Sequence, residues 1–504
     1  MNASPMFSFA PYTVIQEPSL EFGCATRGHP LSCDPQVGLS KYGPYSSRLG
    51  GRWHPKRVRL VPLTAESDFE MVCDTLSRLA EFERLAEPSP YARIDFPGFE
   101  SIFHAQFEVL RDVTEQRIED AVFQEALAYT SAASGYRLVV ESIGRAVAKL
   151  TLLPNDVVAV YLPPEIVKQF RSFRPDFRPV QEKVEPKKKD SKQLLLFEEL
   201  FDEDRDSAEE TLYHDLRRSI KAGCMRRGVA TQVITDSFLT DDESQSWAGK
   251  FWNIGTSVFC KAGGIPWRLP TQENIAHCGI RFGITQDAHK KSILVGLAQV
   301  FSASGELVAL RAGGALKKYR STSERGYHMS RDQARDLIAG VLRDYEYVTG
   351  RLPDRLLIHK SSAFTEDEES GIEEAAAGVR ELDLLFLKGT SVRLLPDRGQ
   401  PADRGTTIPS SDKSAIVYVT GFIPDERSWR GKHVPMPIEI ERFRSQRSLL
   451  DHATELLRLT KMNWNTTIFA AREPCTFTNA SEMIGMLKEL GPNETLKPHI
   501  RYYI

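Results

Sequence analysis

The sequence contains no long apolar run. No stretch reaches the roughly 18 uninterrupted apolar residues that a membrane-spanning helix requires. The first residues also lack the basic start, apolar stretch and small-residue cleavage site of a secretory signal peptide. These absences predict a cytoplasmic protein with no membrane attachment.

Cysteine and excess charge are also scarce. The seven cysteines lie far apart and form no C-x-x-C pair, so neither a disulfide framework nor a zinc knuckle is indicated. The formal net charge is −3, which argues weakly against a nucleic-acid-binding protein because phosphate contacts come from clustered Lys and Arg. One predicted helix nevertheless carries a basic block, formed by Arg217, Arg218, Lys221, Arg226 and Arg227. The block is compatible with a nucleic-acid contact and with a solvated helix face.

The first half of the chain alternates strand and helix patterns. With 504 residues, 41% of them apolar, the chain is long enough for two or three domains. Strands are predicted at Arg57–Leu63 and Asp156–Leu162, with a helix at Asp68–Leu85 between them. An exposed loop is predicted over 181–210, where a lysine run precedes a dense acidic stretch. A further strand is predicted at Ala230–Thr235, which continues a βαβ rhythm.

The second half begins after a predicted helix at Gln245–Lys261, because the Gly/Pro-rich stretch 263–267 cannot continue a helix. A capping box at Ser330 and Gln333 marks the start of the clearest helix. The predicted segments are strands Cys278–Ile284, Ser292–Ser302 and Glu306–Ala312, a helix from Ser330 to Gly350, strand Leu356–His359, helix Glu366–Val379 and strand Leu384–Leu387. The order β-β-β-α-β-α-β is the ribonuclease-H-like arrangement.

Several motifs carry a resemblance to a known family. Residues 17–23 read E-P-S-L-E-F-G, residues 38–44 read G-L-S-K-Y-G-P, and residues 228–232 read G-V-A-T-Q. Residues 252–267 read W-N-I-G-T-S-V-F-C-K-A-G-G-I-P-W, and residues 459–465 read L-T-K-M-N-W-N. Together, in this order, they resemble the short prokaryotic Argonautes.

The resemblance implies an α/β fold in which a Rossmann-like MID domain precedes a ribonuclease-H-like PIWI domain. The expected divisions are an N-terminal segment at 1–60, the MID domain at 61–262 and the PIWI domain at 263–504. In this family the MID domain holds the 5′ phosphate of a guide strand.

The resemblance also assigns a phosphate pocket. Its residues are His214, Arg218, Lys221, Gln232, Asn253 and Lys261. Arg, Lys and amide side chains can together hold a phosphate dianion. His214 and Arg218 are four residues apart and are expected to share one helix face. The family commonly has Lys at the second position, so Lys221 competes with Arg218 for that role.

A metal ligand is implied at the end of the chain. In the family the terminal carboxylate helps to bind a divalent cation between the guide phosphates, and here that carboxylate would belong to Ile504. Magnesium accepts carboxylate and phosphate oxygens together. The expected cofactor is therefore Mg²⁺ at the 5′ end of the guide.

The cleavage site departs from the active pattern of the family. A ribonuclease-H site needs three or four carboxylates, or a histidine in the last place, to hold two metal ions. At the expected positions the sequence has Arg281, Ser361 and Ser481, none of which supplies such a ligand, and only Glu324 lies near the remaining position. No nuclease activity is therefore expected. The alternative is a metal-dependent nuclease that uses other acids, with Asp287, Glu324 and Asp354 as the candidates.

The resemblance implies a recognition protein whose output comes from a partner. The expected partners are a guide RNA, a single-stranded DNA target and an effector protein that carries an APAZ region. The effector is commonly a TIR or sirtuin-like domain that consumes NAD, and sometimes a nuclease. The implied role is prokaryotic defence against plasmids or phages, with the target read by base pairing and backbone contacts.

Overall fold

The computed structural model describes most of the chain. It covers residues 11–23, 30–88, 92–113, 115–173, 214–240, 246–271, 273–287, 290–300, 311–313, 320–322, 326–390, 392–394, 401–423, 434–490, 497 and 499–504. The loop predicted over 181–210 lies outside these residues. Within them, no helix is long and apolar enough to cross a membrane.

Strands make up two main sheets and three short strand pairs in the described residues. In chain order they are β1 (Thr13–Val14), β2 (Leu20–Glu21), β3 (Leu31–Ser32), β4 (Arg57–Ala65), β5 (Gln106–Val109), β6 (Arg117–Ile118), β7 (Val157–Leu162), β8 (Ser172–Phe173), β9 (His214–Asp215), β10 (Ala230–Thr235), β11 (Ile275–Asp287), β12 (Lys290–Val300), β13 (Arg311–Gly313), β14 (Arg320–Thr322), β15 (Gly326–His328), β16 (Arg355–Lys360), β17 (Glu381–Gly389), β18 (Thr406–Pro409), β19 (Ser414–Val417) and β20 (Ile438–Arg444).

Helices cover the sheets. In chain order they are α1 (Pro35–Tyr42), α2 (Ser46–Leu49), α3 (Phe69–Ser77), α4 (Phe99–Phe103), α5 (Asp120–Ala128), α6 (Ala132–Lys149), α7 (Pro164–Phe170), α8 (Leu216–Arg226), α9 (Asp236–Leu239), α10 (Trp247–Lys261), α11 (Arg331–Thr349), α12 (Glu366–Ala375), α13 (Leu449–Leu459) and α14 (Cys475–Lys488). Short 3-10 turns lie at Gly51–Trp53, Glu66–Asp68, Arg78–Ala80 and Ile500–Tyr502.

The first sheet is parallel. Its order is β10-β7-β4-β5, with β6 also against β4, and each of these pairings is parallel. The central strand β7 is buried along its whole length. Its alternate residues enter different clusters: Val157 and Ala159 pack into one, and Val158 and Val160 into the other. Burial on both faces is typical of a parallel sheet between layers of helices, which confirms the predicted βαβ class.

The second sheet contains the ribonuclease-H-like order. Strands β13, β12 and β11 are antiparallel neighbours, and β16 and β17 continue the sheet parallel to β11. Strands β20, β19, β18 and β1 extend it beyond β17. The predicted topology is therefore confirmed. The capping box is also present, because Ser330 Oγ accepts from the backbone of Gln333 and the Gln333 side chain accepts from the backbone of Ser330.

Boundaries differ more than element types. The helix predicted to run to Leu85 ends at Ser77, where Ser77 Oγ donates to the carbonyl of Cys73. The strand predicted at Cys278–Ile284 is longer, because β12 pairs with β11 from His277 to Asp287. Of the strand predicted at Glu306–Ala312, the structure describes only its last two residues, within β13.

The N-terminal segment is tied to the second sheet. Strand β1 pairs with β18, and the buried carboxylate of Glu17 contacts Arg404 Nε at 2.8 Å and Lys461 Nζ at 2.7 Å. Strand β4 runs across the boundary drawn at residue 60. The segment therefore contributes both to the parallel sheet and to the edge of the mixed sheet.

Candidate functional site

Helix α8 begins at Leu216, two residues after His214. Asp215 has extended backbone, and its side chain accepts a hydrogen bond from the amide of Arg218, which caps the helix. His214 therefore belongs to the preceding extended strand. The prediction that His214 and Arg218 share one helix face is wrong, because the cap at Asp215 separates them.

His214 and Arg218 both contact α14 or the residue that follows it. Nδ1 of His214 lies 2.9 Å from Oε2 of Glu489, at the end of α14. The guanidinium of Arg218 lies 3.6 Å from Glu482 and packs against Gly485, where an added Cβ would come within 2.5 Å of Arg218 Nε. These contacts place both side chains at the junction between α8 and α14.

Lys261 lies at the centre of a buried polar cluster. Its Nζ donates to Oε1 of Gln232 and to Oγ of Ser257, each at 2.6 Å. Ser257 precedes Lys261 by one turn of α10 and also lies 3.0 Å from Oδ1 of Asn465. Lys261 is fully buried, and burial together with nearby Lys221 and Arg217 holds its pKa well below the usual range. A buried ammonium group with only neutral hydrogen-bond partners is energetically costly. An anion that binds beside it would stabilise its charge.

Lys221 points to the same region from α8. Its Nζ donates to the main-chain oxygens of Tyr503 at 3.1 Å and Ile504 at 2.8 Å. Burial, with a smaller effect of Arg217, lowers the pKa of Lys221 to about 7. Lys221 in turn lowers the pKa of Lys261. Of the two competing residues, Lys221 is therefore the one whose charge acts on Lys261.

Arg217 and Ser257 were missed by the sequence reasoning as site residues. Arg217 precedes Lys221 by four residues on α8, which places both on one side of the helix, and its charge acts on both buried lysines. The spacing was a usable signal. Ser257 carried no comparable signal, since a serine inside an apolar helix has many possible roles.

Asn253 and Ile504 have packing contacts. Oδ1 of Asn253 accepts from Oγ1 of Thr466 at 2.8 Å and from the amide of Thr467 at 3.0 Å. These bonds join α10 to the turn that follows residues 459–465. Ile504 is buried, and its side chain belongs to the same core as α10. The Tyr502 hydroxyl donates to the carbonyl of Gly228 at 3.3 Å. These contacts bring residues 502–504 against the turn that precedes β10.

The three positions that the resemblance assigns to a nuclease site, Arg281, Ser361 and Ser481, lie on β11, directly after β16 and on α14. Ile280 pairs with Lys360, and the amide of Ser361 donates to the Ile280 carbonyl at 3.2 Å, so Arg281 and Ser361 are neighbours on adjacent strands. Helix α14, which contains Ser481, lies directly on this face. Added Cβ atoms at Gly279 and Gly283, the residues on either side of Arg281 on the same face of β11, would come within 2.1 Å of α14.

Two acids of the alternative nuclease, Asp287 and Asp354, lie far apart. Asp287 is the last residue of β11, whereas the amide of Asp354 bonds to Asn274, just before the first residue of that strand. At about 3.3 Å per residue, the two positions are roughly 40 Å apart along the strand. Two-metal chemistry needs carboxylates around a pair of ions a few ångströms apart, so Asp287 and Asp354 cannot serve one site. Glu324 lies outside the described residues.

Metal-binding groups are not found elsewhere in the described chain: no set of three or more His, Cys, Asp or Glu side chains there is arranged to hold an ion. The main-chain oxygens of Tyr503 and Ile504, which lie beside Lys221, remain as potential metal ligands.

Comparison with known proteins gives the class of the fold. No protein-family profile matches the sequence, and no curated protein matches it significantly. The fold is Argonaute-like. The structure of Clostridium butyricum Argonaute bound to a guide DNA (5′ deoxycytidine) and a 19-mer target DNA has a TM-score of 0.59 at 13% identity, over 100% of this chain and 56% of that one. Crystal structures of A. aeolicus Argonaute and of Aa-Ago with externally bound siRNA have TM-scores of 0.56 at 14% identity, over 98% of this chain and 56% of theirs. The chain thus spans just over half the length of these proteins.

Proposed function

We propose that this protein binds a guide strand through its 5′ phosphate and pairs that guide with a complementary single-stranded target. The observation that carries the proposal is the pair of buried lysines, Lys221 and Lys261. Uncharged oxygens of Gln232 and Ser257 hold Lys261, and the main-chain oxygens of Tyr503 and Ile504 hold Lys221. A phosphate dianion supplies the missing negative charge and accepts charge-assisted hydrogen bonds. Gln232 orients Lys261. Arg217 adds positive charge from α8, the helix that also carries Lys221.

We assign the phosphate to Lys221, Gln232 and Lys261, with Arg217 contributing charge. His214, Arg218 and Asn253 support the pocket from its surroundings, since each contacts residues that hold α8 or α10 in place. The likeness to Argonautes that were solved with guide and target strands supports this assignment at the level of the fold. The proposed guide is RNA and the proposed target is DNA, as in the short prokaryotic Argonautes that the sequence resembles.

Magnesium fits the donor chemistry at this end of the pocket. The carboxylate proposed at Ile504, one oxygen of which lies 2.8 Å from Nζ of Lys221, is a hard ligand of the kind that Mg²⁺ accepts, and guide phosphates would complete the set. The ion would neutralise part of the phosphate charge. Residues of the chain would position the phosphate: Lys221 donates to the Ile504 oxygen, and Lys261 donates to Gln232 and Ser257.

The proposed output belongs to a partner protein. Arg281, Ser361 and Ser481 supply no metal ligand, so we propose that the PIWI domain recognises the target and does not cut it. The proposed partner is an APAZ-containing effector with a TIR or sirtuin-like NAD-consuming domain, acting in defence against plasmids or phages. The resemblance of the sequence to short Argonautes supports this part of the proposal.

The test is a binding assay with matched strands. Purified protein is titrated with 5′-phosphorylated and 5′-hydroxyl guides of the same sequence, and the loaded protein is then titrated with complementary and scrambled DNA targets. We expect preference for the phosphorylated guide and for the complementary target. Equal affinity for both guides would contradict the pocket. Cutting of labelled target by the protein alone with Mg²⁺ or Mn²⁺ would contradict the assignment as a binding protein.

A further inference from the structure

Arg281 lies on the face of β11 that α14 covers. The nearby positions Ser361 and Ser481 hold only hydroxyl groups. Glu473, just before α14, is the one acid that the described residues bring to this guanidinium, with Nη1 and Oε2 2.7 Å apart. Within the described residues, the site therefore holds one cation and one anion, where an active nuclease would hold several acids.

The ion pair is open on one side. The side chain of Glu473 is 43% exposed, whereas that of Arg281 is 16% exposed. The guanidinium also lies over the ring of Phe477, with 5.0 Å from Cζ to the ring centroid. The ring fixes the plane of the guanidinium without using its N–H donors, and Glu473 uses one nitrogen. Among the described residues, the remaining donors of the fork have no partner, and they can serve a second acceptor.

A phosphodiester group fits these donors. In two-metal nucleases of this fold, the ions that the acids hold contact the phosphate of the bound strand. An arginine at the first of those positions places a bidentate phosphate donor directly in the same location. Resting on the proposed function, we infer that Arg281 binds a backbone phosphate of the paired target, and that Glu473 competes with this phosphate for the guanidinium.

Competition has a measurable consequence. An exposed ion pair is weak and is easily exchanged for another anion. Glu473 then lowers target affinity as long as Arg281 is present, and it has no effect on target affinity once Arg281 is neutral. A general repulsion between Glu473 and nucleic acid would act in both cases. The two explanations are separated by a double-mutant cycle.

The experiment measures target affinity of guide-loaded protein over a range of salt concentrations. The variants are Arg281→Gln, Glu473→Gln, the double variant and Arg281→Lys. Arg331→Gln is the matched control, because it also removes an ion pair, the one between Arg331 and Glu374. Arg331 lies in α11, on the other side of the sheet. Melting temperature and guide affinity are measured for every variant.

We expect Arg281→Gln to weaken target binding about tenfold or more and to reduce the slope of log affinity against log salt by about one unit. Glu473→Gln should strengthen target binding, and Arg281→Lys should retain part of the affinity. In the Arg281→Gln background, Glu473→Gln should change nothing. Guide affinity should stay at the wild-type value throughout.

Two results would overturn the inference. One is target affinity of Arg281→Gln equal to that of Arg331→Gln; the other is an equal gain from Glu473→Gln with and without Arg281. If Arg281→Gln does not fold, Arg281→Lys and Glu473→Gln decide the question, because unchanged target affinity in both contradicts it. Wild-type protein that fails to bind guide or complementary target would refute the proposed function instead.

Discussion

Nζ of Lys221 lies 2.8 Å from the main-chain oxygen of Ile504, which joins α8 of the first domain to the last described residues of the chain. Lys221 is buried there, and its hydrogen-bond partners in the described residues are the main-chain oxygens of Tyr503 and Ile504. Its charge is therefore costly in the absence of an anion. Because of this contact, we expect substitution of Lys221 to change both the stability of the protein and the proposed binding of the guide.

The stability of the protein without guide should rise with pH above neutrality. Burial lowers the pKa of Lys221 in the folded state to about 7, whereas an unfolded lysine titrates near about 10.4. Between these values the unfolded chain binds the proton and the folded chain does not, so unfolding becomes less favourable as pH rises. We expect the melting temperature of wild type to increase relative to Lys221→Met from about pH 7 to about pH 10. Lys149→Met, at an exposed ion pair with Glu115, is the control; parallel curves for wild type and Lys221→Met would contradict the prediction.

Guide binding should depend on the phosphate through Lys261. Lys261→Met and Gln232→Ala should weaken the 5′-phosphorylated guide far more than the 5′-hydroxyl guide, because a hydrogen bond to a charged group contributes about 1.5–3 kcal/mol. Competition binding with both guides measures the ratio. A similar loss for both guides would mean that these residues only support the fold, and Lys149→Met should change neither affinity.

Chelation should weaken phosphorylated guides selectively. EDTA removes the proposed Mg²⁺, and deletion of Tyr503 and Ile504 removes its proposed ligands, so each should lower affinity for the 5′-phosphorylated guide. The 5′-hydroxyl guide is the internal control for unfolding, because both residues are buried. Guide affinity that does not respond to EDTA would remove the ion from the proposal.

Restoring two acids should not restore cleavage. The double variant Arg281→Asp, Ser361→Asp returns two potential ligands, but Ser481 still supplies none. Two-metal hydrolysis needs the full ligand set held within about 0.5 Å of productive geometry. We expect no scission of labelled target with Mg²⁺ or Mn²⁺. Efficient cutting by this variant would contradict the proposal that the missing ligand at Ser481 prevents hydrolysis.

Glu489 should hold the two domains together. Its carboxylate accepts from the amide of Asp215 at 3.1 Å and from Ser219 Oγ at 2.5 Å, and it contacts His214. Glu489→Gln should lower the free energy of unfolding by about 1–3 kcal/mol, because buried donors lose their charged acceptor. Glu482→Gln is the matched control, since Glu482 is 35% exposed and 3.6 Å from Arg218. Equal denaturation midpoints for the two variants would contradict the role of Glu489.

The sequence by itself determined the elements and their order. Hydrophobic periodicity, the capping box at Ser330 and the Gly/Pro-rich stretch at 263–267 are local signals, and each of them specifies backbone structure within a few residues. The α/β class and the ribonuclease-H-like order followed from them. Strand and helix ends were less well predicted, as at Ser77, because pairing partners and side-chain bonds to the backbone decide them.

Tertiary structure alone decided which side chains meet. Asp215 caps α8, and His214 contacts Glu489, whereas Lys221, six residues after the cap, reaches the oxygen of Ile504. Arg281 and Glu473 are 192 residues apart in sequence and 2.7 Å apart in space. No local pattern encodes such distances, because they depend on how α8 and α14 pack against the two sheets. Sequence proposed the chemical groups of the site, and the packing of these helices determined their partners.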